Sequence, residues 1–383
     1  MNQDINTLLS QLSAYPNDDK LLAKVALYYI EHPDGDKDLA YLEKAYQVNP
    51  SIENTHNLAF WLYHEYGDYE RALLLQKQVM AQQPQSYYPY VSYAQMLLTQ
   101  YKNEEGSLKL KDTIPKDADR HQEIISIYQL ALSKINNLPV DQHQYHFEQS
   151  FYCLNNIGYA YAMLDAYDEA FIYFDKAMAF INKLLTDNFR SLPDVISTAT
   201  LEEKHYEVLL NKVRLYILLD NRQQALVLLE QACANEQHCH LSIAQLYAML
   251  GEYALADKLV GDEQIDESWA WIWYAISQVN HKKWRSMLAE ALENEQAFLQ
   301  DAKLEAEQLL LDDNQSEWTN QRAFIKESEA TIAKLKAHLI AGSQPKPSGN
   351  LKPYFYSFYF GCLLYGCQRH LGLMDDSNSP THH

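Results

Sequence analysis

The chain has 383 residues, with 51 Asp and Glu against 31 Lys and Arg, a formal net charge of −20. Such a surface repels phosphate backbones and no run of Lys and Arg offsets it, which argues against DNA or RNA as a partner. A hydrophobic content of 47% excludes a wholly disordered chain, and 11 Gly with 12 Pro are few for a turn-dense sheet fold, so long helices are expected.

Residues 1–16 form a leading helix that caps the helices behind it. Pro16, Pro50 and Pro84 then recur every 34 residues, and Tyr29 and Tyr63 share that spacing. A proline closes a helix because it has no N–H to donate and its ring clashes with the preceding turn. The frames are therefore 17–50 and 51–84, with an irregular 85–118 after them. Tyr101–Gly106 and Lys111–Asp119 are rich in charge and turn formers, and Pro115 interrupts any helix there. A helix resumes over Glu123–Ile135, and Pro139–Gln144 reads as another loop. The clearest frame is 151–184, with Leu154, Ile157, Gly158, Tyr161, Ala170, Phe174 and Ala177. Gly158 and Ala170 are small where two helices must approach closely, and Tyr161 and Phe174 fill the space beside them. Tyr63, Gly67, Tyr69 and Ala72 repeat part of this pattern, with Gly67 suited to a left-handed helix end.

The period and these spacings resemble the tetratricopeptide repeat. The resemblance covers about 17–100 and 150–292. Its later copies are weaker: 206–239 with Tyr216, Ala225, Leu229 and Ala232, and a degenerate 240–292 with Tyr247, Gly251, Tyr253, Trp271 and Trp284. A surface loop is expected over Thr186–Thr200, around Pro193. The resemblance implies an all-α, alpha-alpha superhelix of stacked helix pairs, each burying its face only against its neighbours. It also implies a concave groove that binds peptides or protein segments. Carried onto this chain residue by residue, the groove positions are Asn54, Asn57, Trp61, His64 and Glu65 in frame 51–84, then Tyr88, Val91 and Gln95. In 151–184 they are Tyr152, Asn155, Tyr159 and Met163, and in 206–239 Leu210 and Arg214. Asn can donate to and accept from a peptide backbone, and Trp and Tyr give rigid contact area. The Lys set with which some family members clamp a terminal carboxylate is missing here.

From Trp284 apolar residues recur at three, four and seven (Leu288, Phe298, Ala302, then Trp318, Ile325, Ile332, Leu335), which predicts a helical hairpin over 284–340 broken at Asp312–Ser316. It serves as a solenoid cap or as a partner-binding stalk. Residues 341–352 read as a linker. Residues 353–374 read as an aromatic C-terminal helix that must dock on the protein itself, on the last repeats or in the groove, because so apolar a stretch cannot stand alone in water. A disordered tail is expected over 375–383.

Catalytic chemistry finds no foothold: no GxxxxGK[ST], GxGxxG or GxSxG is present. Cys233, His238, Cys239 and His240 lack zinc-site spacing. The series Asp34, Asp36, Asp38 lacks the Gly and Glu of a calcium loop. No metal and no cofactor are expected. Five scattered Cys suggest reduced thiols, Met1–Gln11 has no signal-peptide pattern, and Tyr354–Cys367 is shorter than the roughly 20 residues a bilayer requires, so no membrane association and a cytoplasmic location are expected. The functional expectation is a non-enzymatic scaffold for a protein or peptide, and the acidic surface suits a basic one. Two alternatives stay open: an inhibitor or immunity-type protein that blocks one basic toxin or enzyme, and a peptide-gated regulator.

Overall fold

The structure is a computed structural model. It describes residues 5–102, 108–110, 117–138, 147–186, 198–233, 240–261, 263, 265, 269–311, 315–347 and 363–367. The chain divides into two compact units, one of residues 1–208 with 353–383 and one of residues 209–352.

In the first unit, α1 (Ile5–Ala14) leads into the pairs α2 (Asp19–Glu31) with α3 (Lys37–Val48) and α4 (Ile52–Trp61) with α5 (Tyr69–Ala81). Then come α6 (Tyr88–Thr99), α7 (Ala118–Asn136), α8 (Phe147–Met163) and α9 (Tyr167–Thr186). Each helix packs on the next in sequence, as expected of a repeat stack. Local chemistry sets the ends. Pro16, Pro50 and Pro84 fall two or three residues past the ends of α1, α3 and α5. Asp18, Ser51, Asp68 and Asp117 each cap the next helix by accepting a backbone N–H, for example Leu21 N to Asp18 Oδ1 at 3.1 Å and Asn54 N to Ser51 Oγ at 3.2 Å. A π turn, Leu62–Tyr66, extends α4 and ends at Gly67, whose φ of +65° is the left-handed cap that glycine permits. Leu58, Ala59, Leu62, Tyr63, Ala72, Leu75 and Met96 form a buried cluster across α4, α5 and α6.

The pair α8–α9 shows why small residues recur. A Cβ on Gly158 would lie 2.7 Å from the Phe174 ring, which is itself fully buried. Gly158→Ala should therefore force the ring aside and lower unfolding free energy by about 1–3 kcal/mol, the usual cost of overpacking. Urea unfolding of the variant measures this, and an unchanged midpoint would show that α9 gives way freely.

Three departures from the sequence expectations appear here. Within the irregular frame 85–118, where the chain from Tyr101 reads as turn-rich, β1 (Gln100–Lys102) pairs antiparallel with β2 (Leu108–Leu110) in a two-stranded ribbon. The loop expected over Thr186–Thr200 is already helix at Thr198, where α10 (Thr198–Leu218) begins, and 187–197 lie outside the described residues. Residues 363–367, inside the stretch expected as an aromatic helix, run as non-helical chain with a turn, in which Gly366 takes φ +80° and Cys367 N donates to Leu364 O at 3.3 Å. A left-handed residue in mid-segment breaks helical pairing. The rest of 353–374, and all of 375–383, lie outside the described residues.

The second unit takes up the end of α10, then α11 (Arg222–Cys233), α12 (His240–Met249), α13 (Tyr253–Val260) and α14 (Ala270–Val279). Two long helices close it, α15 (His281–Leu311) and α16 (Gln315–Ala341), forming a hairpin. Cross-links fix its antiparallel register: His281 reaches Gly342 O at 2.9 Å, Ser328 donates to Glu295, Lys303 pairs with Glu329 at 2.8 Å, and Gln321 donates to Glu305 at 2.7 Å. Among the described residues no helix is long and apolar enough to cross a membrane.

Candidate peptide-binding groove

The first helices of three successive pairs, α2, α4 and α6, meet on one face of the first unit, and residues 363–367 lie across it. From α4, Asn57 holds the backbone of Tyr365 at both ends of one residue. Its Nδ2 donates to Tyr365 O at 3.0 Å and its Oδ1 accepts from Tyr365 N at 2.7 Å. Next to it on the same helix, His56 Nε2 lies 2.9 Å from Leu363 O. The Tyr365 ring stands edge-on to His56 and tilted against Tyr88, with centroids 5.3 Å apart in each case. Its hydroxyl hydrogen-bonds Ser86, just ahead of α6, and burial pushes it up to about 12. From α2, Leu27 Cδ1 lies 3.3 Å from where a Cβ on Gly366 would sit. Leu363, Leu364 and Cys367 are buried.

His56 sits between two acceptors. Its Nδ1 is 3.2 Å from Gln76 Oε1, and Gln76 is oriented by its Nε2 donating to Pro89 O at 2.8 Å. A neutral imidazole has one N–H, so it donates to Leu363 O or to Gln76, not to both. Burial outweighs these two hydrogen bonds and lowers the ring to about 4, so it is neutral at pH 7. His64, packed on Phe60 at 4.2 Å, is also lowered to about 4, first by burial and then by its neighbour His56.

Ten of the fourteen groove positions read from the sequence divide sharply. Asn57 and Tyr88 touch the segment, with His64 further along the same helix. Asn54 instead bonds Asp19 Oδ2 at 3.0 Å and Asn49 O at 2.9 Å, tying α4 to the preceding pair. Trp61 donates to Asp38 Oδ2 at 2.6 Å for the same purpose. Gln95 is buried within α6, Asn155 lies against Asn156, and Tyr159 is buried near the His121 ring. Tyr152 accepts from the buried Lys204 amine at 2.8 Å. Arg214 belongs to the second unit, where it donates to Asn211 at 3.4 Å. The reason is geometric. The groove edge and the junction between pairs share the same helix, so a position-by-position transfer assigns junction residues to the groove. His56, Ser86 and Leu27 escape the sequence reading, which has the stretch 353–374 dock on the last repeats or in the groove.

The second unit has a cavity of about 500 Å³ lined by residues of α15 and α16 together with Ile265 and Trp273. Met287, Phe298, Phe324 and Leu335 give it apolar walls, and Glu263, Glu290, Glu295 and Glu327 line it without any Lys or Arg. Among the described residues no group of three or more His, Cys, Asp or Glu could hold a metal ion. Residues 234–239, which include His238 and Cys239, lie outside them.

The fold is that of an all-α repeat protein, with residues 363–367 of the same chain lying against α4. Residues 151–189 match the family model described as tetratricopeptide repeat, so the chain carries a repeat of that kind there. No curated protein matches the sequence. A solved structure titled "Structure of Naa15/Naa10 bound to HypK-THB" aligns at 14% identity over 84% of this chain and 52% of that one, with a TM-score of 0.24. The alignment thus spans about half of that chain's length.

Proposed function

We propose that the first unit is a non-enzymatic scaffold that binds a segment of a partner protein on the face formed by α2, α4 and α6. Tetratricopeptide repeats are protein-interaction modules in general, and the observation that supports this particular face is the paired hydrogen bonding of Asn57 to the Tyr365 backbone. A side-chain amide that satisfies both the N–H and the C=O of one residue recognises a peptide chain regardless of its side chains. The aromatic wall of Tyr88 and His56 then adds selectivity.

The test is capture from host extract by the full chain and by Asn57→Ala and Tyr88→Ala. Each substitution should deplete the captured set at least tenfold, a loss of about 1.4 kcal/mol or more. Capture that both variants leave intact would remove the groove from the account.

A second reading, a basic protein blocked by this chain, draws on the carboxylate-lined cavity between α15 and α16. It expects association that slows steeply as salt rises. A rate independent of ionic strength would sink it.

A further inference from the structure

Resting on the peptide-binding reading above, we propose that the groove's partner carries two aliphatic residues followed by Tyr and Gly, and that residues 363–367 are this chain's own copy of that segment, closing the site until the partner displaces them. Each position of the copy meets a distinct requirement. Asn57 fixes the register through the backbone of Tyr365. The two positions before it are fully buried, Leu363 at 0% and Leu364 at 1% exposure, so a polar residue there would be desolvated without a partner. At the third position the ring lies between His56 and Tyr88 and its hydroxyl reaches Ser86, which favours tyrosine over an aliphatic side chain. At the fourth, φ is +80° and Leu27 stands 3.3 Å from any added Cβ, so glycine is favoured on two separate grounds.

The segment is more than 300 residues from His56 and Asn57 in sequence. Its polar anchoring consists largely of backbone bonds that another chain can reproduce. Tethering gives it an effective concentration on the order of millimolar, so a free peptide must compete against a strong local rival.

The probe is an acetylated, amidated and fluorescently labelled Leu-Leu-Tyr-Gly-Ser peptide, followed by anisotropy with the full chain. Tyr365→Ala and Gly366→Val each empty the site by a different route, and circular dichroism checks that both remain helical. Both variants should bind the probe at least tenfold more tightly than the unaltered chain, and adding Asn57→Ala should cancel that gain. A probe with Ala in place of Tyr should not bind. Equal affinity for all three proteins, or no binding to either folded variant, would overturn the proposal. If probe binding fails while capture from extract still depends on Asn57, the motif is wrong and the groove reading stands. If capture is also independent of Asn57, both fall.

Discussion

Acidification from pH 7 to 4.5 is expected to cost the first unit about 2 kcal/mol at His56 alone. The unfolded ring takes up a proton near 6.5, whereas the folded ring resists until about 4 because burial withholds water from the cation. Between those values the unfolded state binds more protons, so stability falls as pH falls, and His56 contributes no further loss below about 4. His64 acts in the same direction through the same desolvation and through repulsion by His56. The groups around His56 offer little relief: the Gln76 amide from α5, the Leu363 carbonyl and Tyr365 ring from the docked segment, and the Phe60 ring on its own helix. None is a carboxylate. Urea midpoints for the unaltered chain and for His56→Gln across this pH range measure the effect. The Gln variant keeps a donor toward Leu363 O but cannot titrate, so its curve should be flatter by most of that amount. Parallel curves would show that other groups carry the acid sensitivity. The prediction also bears on the groove, because the same ring holds the segment.

Sequence range separates the legible features from the hidden ones. The proline beat and the spacing Gly158, Tyr161, Ala170, Phe174 are local, since cap chemistry and inter-helix volume are decided within one helix pair. The hairpin is legible for the same reason: apolar residues along α15 and α16 recur at helical spacing, and the partner helix is the next in the chain. The groove is legible only in part. A repeat frame says which helix faces the hollow, and from those positions Asn57 and Tyr88 lie against Tyr365 of the same chain. It does not say where the facing surface ends and the junction with the previous pair begins, and so it puts Asn54 and Trp61, bound to Asp19 and Asp38, on the wrong side of that line. The occupant can be read only as a stretch that needs cover, with the last repeats and the groove both open to it. Aromatic density over 353–374 announces burial, but the contact of Tyr365 with a helix 308 residues earlier leaves no periodic trace. The non-helical turn at Gly366 depends on that contact, because the groove supplies hydrogen bonds that a helix would otherwise have made internally.

Trp284→Ala should destabilise the second unit by about 3–5 kcal/mol, the range for removing a large buried aromatic. Trp284 has 0% exposure in the first turn of α15, which packs on α14, and its ring lies 5.1 Å from that of His281. Its indole Nε1 is buried and has no hydrogen-bond partner among the described residues. Trp284→Phe therefore loses volume but no hydrogen bond, and should cost roughly 1–2 kcal/mol, the share of a smaller cavity. In a stack of helix pairs each pair is held by its neighbours, so the damage should concentrate in residues 209–352 and lower an early thermal transition. The later transition, and probe binding on the face of α2, α4 and α6, should stay where they are. Differential scanning calorimetry with anisotropy on the same samples separates the two units. A Phe variant as damaged as the Ala variant would show that the indole N–H has a partner after all, and a single shifted transition would show that the two units unfold together.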